Sequence, residues 1–280
     1  MKKTILFFVV AAVCLAFAAP LFAEGNTEKG PMKVGVFVPG VAAGSPLYEQ
    51  LVSGANKVAA EFPNLTIMVV EAGFDQSKWP EQMTALAATG EYTWILTSNP
   101  SMPDVSKGVF TAFPKQKFIF MDAYLAGNPN AASVMYNQVE QGYMAGYLAG
   151  LVTKSTMKGA TPELKVGAIV AQEYPALTKE MIPGYTQGFQ AVDKAITLDY
   201  RVIGNWWDAN KGADLANSMM DAGVDVILAI AGGAGQGIIK AAQARGRYVV
   251  YFDSNAYAIA PGTIIGCATL DQERAVYETM

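Results

Sequence analysis

The chain has 280 residues, 52% of them hydrophobic and only 16% charged, which is enough apolar material for two α/β lobes. Its formal net charge is -4 and no basic run interrupts it, so it lacks the electrostatic footprint of a nucleic-acid partner. It contains 0 histidines, which removes the usual general base, the usual zinc ligand and every His-dependent triad together. No carboxylates cluster at metal-ligand spacing, so no metal, no cofactor and no enzymatic chemistry are expected.

In chain order, MKKTILFFVVAAVCLAFAAPLFA over residues 1–23 joins a short basic start to an apolar run and an Ala-rich end, and reads as a secretory signal peptide. Cleavage after Ala23 leaves a linker over 24–32 and makes Cys267 the one cysteine of the mature chain, a small core residue in TIIGCAT. The alternative is a lipoprotein signal, in which Cys14 becomes an acylated N-terminus and tethers the chain to a membrane. Both readings export the protein, with a periplasmic location expected. Later apolar segments are too short and too often broken to span a bilayer.

From residue 33, short β-rich runs alternate with helical ones. KVGVFV opens the first half and passes through PGVAAG, a turn with no charged side chain, to a helix marked by Ser45 as N-cap and Pro46 at its first position. The strands LTIMVVE, TWILTS, KFIFMD and ASVMYN follow, separated by the helical KWPEQMTALAATG and MPDVSKGVFTAF. EQGYMAGYLAGLV then leads to a second set of strands: LKVGAIV, YRVIG, VDVILAI, YVVYFD and GTIIGCA. Strands apolar on both faces and separated by helices imply parallel sheets covered on both sides. The same order opens both halves. The expected architecture is therefore α/β, two Rossmann-like lobes joined by a hinge, with 33–137 plus 268–280 as lobe 1 and 138–267 as lobe 2. A ligand cleft is expected where the strand carboxyl ends of the two lobes face each other.

The ordered motifs FIFMDA, YNQVEQGYMAGYLAG, GYTQGF, WWDANKGADLA and GVDVILAIAGGAGQG resemble the basic membrane protein family of substrate-binding proteins for ABC importers. The resemblance runs from Lys33 to Val276. It implies the type I periplasmic binding protein fold, a small-molecule ligand and a membrane permease as partner, in a family that includes purine nucleoside receptors and a riboflavin-binding branch. Three departures stand out. Nucleoside binders of the family carry Ser-Phe-Asn in the first turn, where this chain has Gly44, Ser45 and Pro46; they carry a lysine after the last shared strand, where it has TLDQE; and their single aromatic before the second-lobe Asp is matched by Trp206, with Trp207 beside it. The family also continues past the position of Met280, so a further C-terminal part of the fold is expected.

The strand ends supply the candidate ligand-binding residues. Ser45 and Tyr48 follow the first strand, Asn99 the third, Asp122 the fourth and Asn137 the fifth; the second half adds Tyr174, Trp206, Gly232, Gly233, Asp253 and Asn255. No Lys or Arg stands at these ends, which argues against an anionic ligand. Aromatic faces, carboxylates and amides suit a flat heteroaromatic bearing hydroxyls. For Asp122 and Asp253 the competing role is capping of the next turn, and for Tyr48 it is core packing. Trp206 and Trp207 are adjacent and, if locally extended, point opposite ways; the resemblance makes Trp206 the stacking ring and leaves Trp207 to pack in the lobe. The ligand expected first is riboflavin or a close flavin, with a purine nucleoside as the alternative, and the protein is expected to act as a monomer. An exported nicotinamide-dependent oxidoreductase is the third reading, drawn from AGGAGQG followed by Asp253. Its glycines are spaced GxGxG rather than GxGxxG and stand late in the chain, so that reading is set aside.

Overall fold

The computed structural model describes residues 31–280. The signal peptide expected over 1–23, with Cys14, and the part of the expected linker before Pro31 lie outside the described residues. Each half begins with a strand buried because its residues are apolar on both sides. In the first half, β1 (Met32–Val38) leads through the PGVAAG turn to α1 (Pro46–Glu61), then β2 (Leu65–Glu71), α2 (Trp79–Ala88) and β3 (Trp94–Ser98). Two short helices, α3 (Met102–Val105) and α4 (Lys107–Ala112), replace the single helix expected over 102–113, with Ser106 capping the break between them. β4 (Lys117–Met121) and β5 (Ala131–Val134) complete this half.

The second half runs α5 (Gln138–Thr153), β6 (Lys165–Val170), α6 (Ile182–Val192), β7 (Thr197–Val202), α7 (Ala209–Asp221), β8 (Val224–Ile230), α8 (Gly235–Ala244), β9 (Tyr248–Asp253) and β10 (Ile264–Thr269). β7 begins three residues before the expected YRVIG and β5 stops before Tyr136 and Asn137. The chain then crosses back, and α9 (Gln272–Thr279) packs on α1.

All pairings are parallel, in two five-stranded sheets of order β2-β1-β3-β4-β5 and β10-β9-β8-β6-β7. Counted from its own first strand, each sheet has the order 2-1-3-4-5, so the repeat read in the sequence is a repeat of topology. Each sheet carries one apolar cluster on each face, and no cluster mixes residues of the two sheets. Each sheet with its helices is thus a lobe with its own core. β10 keeps Ala268 and Thr269 in the second sheet, two residues past the expected boundary at 267. No helix among the described residues is long and apolar enough to cross a membrane.

Ser45 occupies the N-cap of α1 with Pro46 at the first position, yet its side chain makes no capping hydrogen bond. Glu49, one turn inside the helix, instead accepts from the Gly44 N–H at 2.9 Å, so a carboxylate neutralises the helix start in place of the hydroxyl. Cys267 is a free thiol packed against the second-lobe core, and its Sγ accepts from the Ala256 N–H at 3.3 Å.

The second lobe is locked by glycines. Gly142, Gly146 and Gly150 of α5 face Gly184 and Gly188 of α6, and a Cβ added at Gly146 would sit 2.0 Å from the Tyr185 carbonyl oxygen. The helices therefore touch backbone to backbone. Gly146→Val is expected to lower stability by roughly 1–3 kcal/mol or more through overpacking. Chemical denaturation reads this, and an unchanged midpoint would show that the two helices separate freely.

Candidate ligand-binding cleft

In an open parallel sheet, ligands sit beyond the strand carboxyl ends where the strand order reverses. That point lies between β1 and β3 in one sheet and between β6 and β8 in the other. The segments leaving these strands are PGVAAGS, Asn99, Gln172 to Tyr174, and Ala231 to Gly233. The uncharged turn after β1 lies at one of these reversal points, the position expected of a cleft wall.

The acids stand one strand further along. Asp122 follows β4 and Asp253 ends β9, equivalent positions in the two sheets, and both adopt left-handed backbone, φ 52 and φ 71. Aspartate is among the few non-glycine residues that tolerate this region. Burial pushes the Asp122 carboxyl up to about 7, against a hydrogen bond donated by Gln138 Nε2 at 2.6 Å, with the Glu180 charge adding to the rise. Burial pushes Asp253 up to about 8, helped by the charge of Asp122 and opposed by Gln141. The two carboxyls thus feel each other, and neither forms a salt bridge among the described residues.

Three tyrosines feel the charge of the pair. Burial pushes the Tyr48 phenol up to about 12; Asn99, whose Nδ2 donates to the Tyr48 oxygen at 3.4 Å, opposes the rise, and both acids add to it. Tyr136 and Tyr174 are raised by burial first and then by the same two acids. All three stay neutral near pH 7 and can donate or accept. Tyr48, Asn99, Asp122, Tyr174 and Asp253 are therefore brought together.

Other candidates are placed differently. Asn137 is exposed and caps α5, its Oδ1 accepting from the Glu140 N–H at 3.1 Å. Asn255 is also exposed and accepts from the Tyr257 N–H at 3.3 Å. Trp206 packs against the second-lobe core, donates from Nε1 to Gln172 Oε1 at 2.8 Å, and leaves room for no side chain larger than hydrogen at Gly232 without contact at 3.3 Å. Gly233 lies exposed beside the Trp206 carbonyl. Trp207, expected to pack inside the lobe, is instead 60% exposed and reaches Phe74 of the first lobe, with ring centroids 5.8 Å apart. The alternation of adjacent side chains holds, with Trp206 turned toward the core and Trp207 outward.

The sequence reading missed the glutamines that stitch the lobes together. Gln138 of the second lobe bonds Asp122 of the first, and Gln50 Nε2 of the first donates to the Asp253 carbonyl at 3.2 Å. Gln272 is fully buried and ties the returning helix to the first lobe instead: it accepts from Ser98 Oγ at 2.9 Å, and its Nε2 donates to the Leu47 carbonyl at 2.7 Å. Gln138 and Gln141 are three apart at the start of a helix, a same-face spacing visible in YNQVEQ. Phe74 and Tyr136 carried no such signal.

The architecture is that of the type I periplasmic binding proteins: two parallel sheets with facing strand ends. Residues 32–280 match the profile of the Bmp family, described as ABC transporter substrate-binding protein PnrA-like, and the chain belongs to this family. It is 25% identical over 277 residues to basic membrane protein A2 of Borrelia garinii subsp. bavariensis, covering 97% of this chain and 78% of that one. It is 29% identical over 144 residues to the ABC transporter nucleoside-binding protein BmpA of Lactococcus lactis subsp. cremoris, covering 51% of this chain and 38% of the relative. Among solved structures, an ABC transporter system solute-binding protein from Aeropyrum pernix K1 superposes with a TM-score of 0.78 at 23% identity, over 89% of this chain and 69% of that one. A myo-inositol binding protein from Caulobacter superposes with a TM-score of 0.66 at 19% identity, over 90% and 87%. These two likenesses establish the fold. As a family member, the chain is the substrate-binding component of an ABC transporter, which binds a small molecule and works with a membrane permease.

Proposed function

We propose that the cleft binds a neutral purine nucleoside. The observation that carries this reading is the pair Asp122 and Asp253, one from each lobe, ringed by neutral tyrosines and without a basic partner. Such acceptors suit ribose hydroxyls and ring N–H groups, whereas a phosphate would call for a guanidinium or ammonium. A relative that matches half of this chain is named as nucleoside-binding, which supports the same ligand class.

Riboflavin drew its support from the second tryptophan together with the missing lysine and the missing Ser-Phe-Asn, which suit a wider, flatter, uncharged ring. Trp206 is engaged with Gln172 and Gly232, which leaves Trp207 as the ring presented outward. In this reading Trp207 stacks on the ligand ring and Trp206 backs it. The protein works as an exported monomer, directed by the N-terminal apolar run.

Calorimetric titration with guanosine, inosine and riboflavin tests the proposal. Saturable heat with the nucleosides and none with riboflavin is expected. A yellow protein as purified, or saturation by riboflavin alone, would overturn it.

A further inference from the structure

Asp122 belongs to the first lobe, yet its one side-chain hydrogen bond among the described residues comes from the second. Gln138 Nε2 donates to Asp122 Oδ1 at 2.6 Å, and Gln138 is only 3% exposed. The Oε1 of the same amide is sealed with no partner, so that bond alone decides which end of the amide faces the acid. Only the N–H end can meet an ionised carboxylate. Asp122 Oδ2 carries no hydrogen bond among the described residues and is not sealed, which leaves it for a ligand hydroxyl.

The donor is held from behind. Gln138 opens α5, where the Asn137 side chain caps the helix and the Gln138 N–H donates to the Tyr136 carbonyl at 3.0 Å. One turn on, a Cβ added at Gly142 would sit 2.2 Å from the Met181 carbonyl oxygen, so the helix start is seated against a π-helical turn, Leu177–Met181. That turn carries Glu180, whose charge acts on Asp122 against the effect of Gln138. The second lobe thus presents a donor and a like charge to the same acid. The other titratable groups that face Asp122 are Asp253 at the end of β9, Tyr48 of α1, Tyr136 of the connector and Tyr174 after β6. No lysine or arginine is among them, so the amide is the one group listed here that favours the ionised acid.

We infer that Gln138 is a positioning residue for ligand binding: it reaches across from the second lobe, fixes one oxygen of Asp122 and leaves the other aimed at the ligand. A neutral amide suits this task. A lysine there would form a salt bridge and compete with the ligand's own donors, whereas an amide orients the acid without neutralising it. Asp122 is complete as an acceptor only when the lobes stand together, so the second lobe contributes to binding through a residue that need not touch the ligand.

The inference rests on the proposed nucleoside cleft, and two measurements separate them. The first follows Asp122 itself, without ligand, through a pH titration of the carboxyl carbon NMR signal that Asp122→Asn removes. The wild-type midpoint is expected at about 7. Gln138→Leu keeps the bulk and removes the donor, and should move the midpoint up by ~1 pH unit, the scale of one hydrogen bond to a charged group. Gln138→Lys should move it down. The second measurement is guanosine affinity over the same range. Gln138→Leu should weaken binding ~10-fold at about pH 6.5 and come within about threefold of wild type at about pH 9, a change of shape that a merely structural defect would not produce. In an Asp122→Asn background, adding Gln138→Leu should leave the pH profile unchanged. If neither variant moves the Asp122 midpoint, or both move it the same way, the inference is wrong and the cleft reading stands. If the midpoint moves while guanosine affinity ignores it, Asp122 is not the ligand's acceptor and the positioning role falls. If the midpoint moves but wild type binds no guanosine, the cleft reading fails and takes the ligand role of Gln138 with it.

Discussion

Without ligand, the protein is expected to lose stability as the pH rises from about 4 to about 8. Burial holds the Asp122 and Asp253 carboxyls up to about 7 and about 8, well above the ordinary carboxylate range. Over that interval the folded chain therefore keeps protons that the unfolded chain has released. Stability is fully present below the unfolded value and declines until the folded value is passed, at up to about 1.4 kcal/mol per pH unit for each carboxyl. Asp225, raised by its burial in β8, acts in the same direction. Asp193 and Glu273 are held low by their lysine partners, so their contributions fall below this window. Denaturation at about pH 5 and about pH 8 checks the slope, and the Asp122→Asn, Asp253→Asn double variant should flatten most of it. Ligand hydroxyls that donate to these oxygens favour the charged forms. Binding near neutral pH should then release protons, seen as a dependence of binding heat on buffer. Stability that is flat or rises through the interval would contradict the assignment.

Trp207→Ala should cost roughly 2–4 kcal/mol of ligand affinity, the sum of lost ring burial and stacking. Its stability should change little, since the ring is mostly exposed and touches only Phe74 among the aromatic rings described. Trp206→Ala should do the reverse. It removes a ring packed on the second-lobe core and strands the Gln172 oxygen that its indole N–H satisfies. Melting temperature and titration on both variants separate the two roles. Loss of affinity confined to Trp206→Ala would restore the first assignment of the stacking ring.

The alternation of apolar runs and helices placed the strands because a strand buried on both faces cannot hide its composition; all seven residues of β8 are buried. The paired acids were legible for a related reason. KFIFMD and YVVYFD both end an apolar strand in Asp at the same step of a repeated order, and a charge there has only the cleft or a cap to serve. The tryptophans were not. Adjacent residues alternate, but which one turns inward is decided by Gly232 and Gln172, contacts that no local pattern encodes. Asn137 and Asn255 show the same limit, since an amide that caps a helix or turn has the same composition as one that meets a ligand. Phe74 was invisible because a phenylalanine after a strand reads as core until a ring from the other lobe is found opposite it.

The glycine seam between α5 and α6 has a consequence for how binding strength can be tuned. Helices in backbone contact have little configurational freedom left to surrender, so the second lobe is expected to move as one block. The described chain passes between the sheets at 135–137 and 270–271, so any bending between the lobes is expected there. On the proposed reading, the strand-end loops would set the choice of ligand and those few connector residues the ease of closing, with Gln138 and Gln272 at their margins. Selectivity and grip are then inherited through separate stretches of sequence. A stiffer residue such as proline in a connector should tighten or loosen every ligand alike, leaving their ranking untouched.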